Sequence, residues 1–195
     1  MGSKRDGVLY VPGSYDPAQA APLLLWLHGA GGDGRQLVDA LVETAEAKAC
    51  LVVSPDSRGR TWDMILGGYG PDVAFIDGVL ARVFEAYAVD PGRLAVGGFS
   101  DGASYALSIG LINGTLFGDV LAFSPGFAMA IEAHGFPRIF ISHGVHDRVL
   151  PIDPCSRRLV PALRNGGYTV DYREFDDGHV VPPEMITAAM AGFLG

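Results

Sequence analysis

The residues with the clearest chemical potential are Gly98, Ser100 and Gly102, a G-x-S-x-G run inside Gly97-Gly98-Phe99-Ser100-Asp101-Gly102-Ala103-Ser104. The run follows the apolar stretch Leu94-Ala95-Val96 and precedes a segment of helical spacing at residues 103–112. A serine in that setting occupies a strained strand-to-helix turn, and glycine two before and two after it lets the chain fold back tightly. The following helix aims its N-terminal amides and positive dipole end at the serine, where negative charge develops in acyl transfer. With 27 glycines in the chain the motif could arise by chance. The strand pattern before it and the helix pattern after it argue against chance, and Ser54, Ser104 and Ser124 lack that setting. Ser54-Pro55 and Ser124-Pro125 end strand-like runs, where a hydroxyl is expected to satisfy nearby backbone.

A serine hydroxyl is a weak nucleophile until a base takes its proton, and imidazole suits that task near neutral pH. Of five histidines, His179 lies in Asp176-Asp177-Gly178-His179, between a strand-like run ending near Phe175 and a helix starting near Pro183. The acid candidate is Asp147, shortly beyond the apolar run Ile139-Phe140-Ile141-Ser142. There it would accept the proton of the histidine Nδ1 and stabilise the imidazolium formed during attack. Asp153, Asp176 and Asp177 compete for that role. Asp176 and Asp177 more naturally shape the turn before His179, and Asp153 more naturally caps the next helix. His143, His146, Asp147, Asp153 and His179 can also be read as metal ligands, but no H-E-x-x-H or comparable pair is present, so no metal and no cofactor are expected.

A second glycine-rich loop, His28-Gly29-Ala30-Gly31-Gly32-Asp33-Gly34, follows the run Leu23-Leu24-Leu25-Trp26-Leu27. Glycines let backbone amides approach a ligand closely. Acyl transfer needs two such donors, and the amides of Ala30 and Asp101 are the candidates for an oxyanion hole, with His28 ordering the loop. A phosphate cradle is disfavoured because the Lys and Ser/Thr of a P-loop are missing.

The elements that must position these groups alternate. Strand candidates fall at residues 23–27, 51–53, 94–96, 120–123, 139–142 and 168–175, and helix candidates at 35–48, 72–87, 103–112, 154–164 and 183–193. Such alternation predicts an α/β fold with a mainly parallel central sheet, helices on both faces and ligands at the carboxyl ends of the strands. Residues 57–71 lack periodicity and carry Trp62, Met64, Ile65 and Tyr69. With Phe127 these are the pocket-lining candidates, core packing being an equal alternative for each.

At 195 residues and 49% hydrophobic content, the chain fits one domain, 1–195, with one sizeable core. A net charge of -8 and the lack of a basic run disfavour nucleic acid as a partner. The longest bulky apolar run, 23–27, is far below the roughly 20 residues a membrane span needs. The leader Met1-Gly2-Ser3-Lys4-Arg5-Asp6 is not followed by an apolar signal, so a cytoplasmic protein is expected. Cys50 and Cys155 match no metal or redox spacing and are expected to be unpaired, Cys50 as a buried small hydrophobe.

Together, the H-G-A-G-G-D-G loop, the G-F-S-D-G elbow, the S-H-G-V-H-D-R-V-L-P acid loop and the D-G-H-V base loop resemble the α/β-hydrolase family, specifically its compact phospholipase/carboxylesterase branch. The four motifs occur in the family's order across nearly the whole chain. The resemblance implies a three-layer sandwich without a large cap domain. It makes Ser100, Asp147 and His179 the triad and the amides of Ala30 and Asp101 the oxyanion donors. It also implies metal-free hydrolysis of esters or thioesters; no cofactor is expected, and the apolar helix surfaces allow a monomer or a homodimer. Asp101 departs from the Gln many relatives carry, which leaves a backbone donor unaffected. The chain is short for the branch, which points to an open site and small, short-chain substrates. The rivals are a thioesterase or lysophospholipase-type acyl hydrolase, and a noncatalytic binding protein that keeps the fold.

Overall fold

The computed structural model describes residues 5–130 and 132–195. In chain order the strands are β1 (Gly7–Tyr10), β2 (Ala21–Leu27), β3 (Leu51–Pro55), β4 (Val89–Phe99), β5 (Asp119–Phe123), β6 (Arg138–Gly144) and β7 (Val170–Phe175). The helices are α1 (Val38–Ala47), α2 (Asp63–Leu66), α3 (Pro71–Ala86), α4 (Asp101–Ile112), α5 (Ser156–Asn165) and α6 (Pro183–Leu194). The strands form one seven-stranded sheet in the order β1-β3-β2-β4-β5-β6-β7, and every neighbouring pair is parallel except β1 with β3.

Period-two alternation explains the layering. Leu23, Leu25 and Leu27 of β2 face a core shared with Trp62, Ile76, Leu80 and the apolar positions of α4. Leu24 and Trp26 face the opposite side, against Leu41 and Ala45 of α1 and Ile186, Met190 and Phe193 of α6. Helices therefore cover both faces, as the sequence pattern predicts. Helix α4 runs under the site, and its residues 102–111 are all buried, which is why its sequence is nearly apolar all round.

Several boundaries differ from expectation for local reasons. Helix α1 begins at Val38 rather than residue 35 because Leu37 sits in the left-handed region at φ 65°. Helix α5 starts at Ser156 and α4 already at Asp101, directly behind the serine. Strand β7 starts at Val170 because Gly167 is left-handed and the Tyr168 amide still bonds the carbonyl of Leu163 in α5. Two elements escaped the sequence patterns: β1, a four-residue antiparallel edge strand, and α2, a single turn within the aperiodic stretch 57–71.

Candidate active site

The elbow is built by close approach. Ser100 adopts φ 59° and ψ −120°, a conformation unusual for a residue with a side chain, between the last residue of β4 and the first of α4. A Cβ at Gly98 would lie 2.5 Å from the Leu27 carbonyl oxygen, and one at Gly102 would lie 2.1 Å from the same oxygen. Both are backbone clashes, so the small residues flanking Ser100 are steric requirements of packing β4 and α4 against the end of β2.

Ser100, His179 and Asp147 come from the ends of β4, β7 and β6 and converge. The hydroxyl of Ser100 lies 2.8 Å from His179 Nε2, and His179 Nδ1 lies 2.5 Å from Asp147 Oδ2. With Nδ1–H donating to the carboxylate, Nε2 is free to accept the serine proton. The ring of Phe99 lies 4.7 Å from the His179 ring, tilted by 35°, and supports the imidazole from the strand side. Asp147 is buried, and its Oδ1 accepts the amides of Val149 and Leu150, each at 2.8 Å. Burial alone would push this carboxyl up. The bonds from His179, Leu150 and Val149 outweigh it and hold the group below the usual carboxylate range. Asp147 thus stays charged opposite the base.

Close packing also joins the acid and base loops. A Cβ at Gly144 would meet the Gly178 carbonyl oxygen at 2.2 Å. The His146 amide donates to Asp177 O, and the His146 ring meets Asp176 Oδ1 at 2.8 Å on the surface. The competing acids therefore take other partners. Asp177 accepts the Gly178 amide, which shapes the turn, and Asp153 pairs with Arg157. Asp153 does not cap α5, whose N-cap is Cys155 with no side-chain bond. Among the described residues no three His, Cys, Asp or Glu side chains are grouped to hold a metal.

The glycine loop 28–34 abuts the elbow, where a Cβ at Gly29 would lie 3.5 Å from Ser100 Cβ. His28 is fully buried; its Nδ1 donates to Gly29 O at 2.7 Å and its Nε2 accepts the Ser57 amide at 3.0 Å. Burial pushes this imidazole down, so it is neutral. Gln36 Oε1 takes the Gly29 amide at 2.9 Å, and Arg5 bonds Gly32 O and Ser57 O. The Gly31 amide goes to Arg60 O. Neither the Ala30 amide nor the Asp101 amide has an acceptor among the described residues. The Asp101 carboxylate is held aside by the Thr61 hydroxyl at 2.7 Å.

Two of the pocket candidates are corrected. Trp62 is fully buried, stacks on Tyr105 and donates its indole N–H to His28 O, while Met64 is 2% exposed. Both are core residues rather than pocket wall. Ile65, Tyr69 and Phe127 are partly buried against the same core. The Tyr69 hydroxyl donates to Met129 O and so ties the 57–71 stretch to the segment after β5. That stretch is ordered by a reciprocal clasp, in which Asp72 accepts the Asp63 amide and Asp63 accepts the Asp72 amide. Ser54 bonds Trp26 O as expected, but the Ser124 hydroxyl is buried without a partner among the described residues. Cys50 and Cys155 are free and buried, and burial pushes the Cys50 thiol up to about 12.

A mainly parallel sheet flanked by helices, with a strained serine, a carboxylate and an imidazole following β4, β6 and β7, defines the α/β-hydrolase class. Within it, the phospholipase/carboxylesterase family model matches residues 74–194 and an esterase family model matches residues 1–131. The chain belongs to the phospholipase/carboxylesterase family of α/β-hydrolases. It is 28% identical over 157 residues to feruloyl esterase C of Emericella nidulans, covering 76% of this chain and 57% of that protein. It therefore spans little more than half the length of that relative. Among solved structures, esterase PE8 superposes with a TM-score of 0.78 at 22% identity, covering 97% of this chain and 98% of that one. The Bacillus cereus carboxylesterase follows at 0.75 and 18%, with 98% and 94% covered. At these identities the likeness establishes the fold.

Proposed function

We propose that the chain, as one α/β-hydrolase domain, is a serine carboxylesterase that hydrolyses small or short-chain esters through an acyl-enzyme. The observation that carries the reading is the continuous relay of Ser100 Oγ, His179 and Asp147 at 2.8 and 2.5 Å. Ser100 Oγ attacks the ester carbonyl while His179 Nε2 takes its proton, and the tetrahedral oxyanion is met by the amides of Ala30 and Asp101. His179 then protonates the departing alkoxide. Water, deprotonated by the same nitrogen, releases the carboxylic acid.

The relative named a feruloyl esterase supports ester over thioester substrates and places aromatic acyl groups among those to test. The two unpaired, buried thiols fit a reducing, cytoplasmic compartment. No described helix is long and apolar enough to cross a membrane. A monomer or homodimer acting on a small-molecule ester completes the reading.

The test is hydrolysis of p-nitrophenyl esters of increasing acyl length, with methyl ferulate alongside, by the protein and by Ser100→Ala. Turnover is expected to peak at short or aromatic acyl groups and to fall by roughly 10⁶-fold in the variant. Turnover that survives Ser100→Ala, or none on any ester, would overturn the reading.

A further inference from the structure

Behind Asp147 lies a second imidazole, on β6. His143 is fully buried, with Nδ1 at 2.6 Å from Ser156 Oγ, and Nε2 at 2.8 Å from Leu150 O and 3.2 Å from Asp147 Oδ2. Both groups facing Nε2 are acceptors, so Nε2 carries the proton and Nδ1 accepts the Ser156 hydroxyl. The same carboxylate oxygen therefore receives His179 from one side and His143 from the other. Leu150 is held twice, by its amide on Asp147 Oδ1 and by its carbonyl on His143. We propose that His143 is a positioning residue, a neutral donor that fixes Asp147 and the turn 147–150 so that His179 is aimed at Ser100.

The surroundings keep that ring neutral. Asp147 and His179 face it from the loops, and Glu174 of β7 pairs with it in sheet register. Glu174 is neutralised by two bonds from Arg157, at 2.9 and 2.6 Å. Cys155 is a buried, protonated thiol. Burial lowers the affinity of His143 for a second proton, and that proton would have to displace the bond from Ser156. A donor on Asp147 also shares its negative charge, so less of it is left to stabilise a protonated His179.

The inference rests on the Ser100 nucleophile proposed above, but it can be read without an ester. An alkyl fluorophosphonate phosphonylates a serine whose proton is taken by its base. The Ser100 oxygen forms the P–O bond, fluoride leaves, and the proton passes to His179. Labelling rate, kcat and KM are measured across pH for the protein, His143→Leu, His143→Gln and Ser156→Ala, each first checked for cooperative thermal unfolding. In His143→Leu, labelling and kcat are expected to fall about tenfold with KM little changed, and the acid limb of both profiles to move to higher pH. His143→Gln, which keeps one donor and one acceptor, should recover most of both effects, and Ser156→Ala should show a smaller loss. If His143→Leu does not fold, His143→Gln and Ser156→Ala carry the test. The proposal is overturned by folded variants with wild-type rates and an unmoved acid limb, or by a protein whose Ser100 is not labelled at all. Labelling without hydrolysis of any ester would remove only the ester reading.

Discussion

At the scale of single residues, the site sets buried neutral imidazoles beside a buried charged carboxylate. His28 and His143 have no solvent exposure, and burial pushes both below the ordinary histidine value of 6.5. As pH falls through that value the unfolded chain takes up protons that the folded chain refuses, so the folded state loses stability. Asp147 is displaced downward from 3.8, and its contribution, present above that value, is lost as pH falls through its lower folded value. Calorimetric unfolding is therefore expected to show a midpoint that declines steadily from about pH 7 to about pH 5, with a further decline near pH 4 and below. A midpoint unchanged between pH 7 and 5 would contradict this expectation.

At the scale of elements, the glycine loop after β2 is positioned by a residue outside its motif. Gln36 stands before α1, takes the Gly29 amide on its side chain and receives the Trp26 indole on its carbonyl. Removing the side chain leaves that amide unpaired and frees the loop that carries Ala30. Gln36→Ala is expected to lower kcat about tenfold with a much smaller change in KM, because the Ala30 amide, as the proposed oxyanion donor, would act mainly in the transition state. Steady-state kinetics on a p-nitrophenyl ester reads this, and an effect confined to KM would contradict it. Gln36 also shows where sequence reading stops. The serine elbow, the late histidine and the acid loop were legible because each is a local pattern at a strand end. The parts played by Gln36, Phe99 and His143 were not, because they exist only in tertiary contacts between distant segments. Strand β1 escaped for a related reason: four half-exposed edge residues carry too short an alternation to separate from a loop. Trp62 and Met64 fit pocket wall or core equally well in the sequence, because composition alone cannot tell an apolar lining from an apolar core.

At the scale of the whole molecule, the parallel sheet does the assembling. Strands β4, β6 and β7 deliver serine, acid and base to one end, while α1 and α6 on one face and α2, α3 and α4 on the other close the core around them. No single segment holds the site, so its chemistry is a property of the folded sheet. This arrangement is proposed to make Ser100 a covalent catalyst. That role is tested most directly by mixing the protein with p-nitrophenyl acetate, quenching in acid during turnover, and locating any acyl group by mass spectrometry of the intact chain and its peptides. One acetyl group per chain is expected on the peptide bearing Ser100, absent after the ester is exhausted and absent from Ser100→Ala. Acetylation at another residue instead, or turnover of the ester under these conditions with no acetyl group on Ser100, would contradict it.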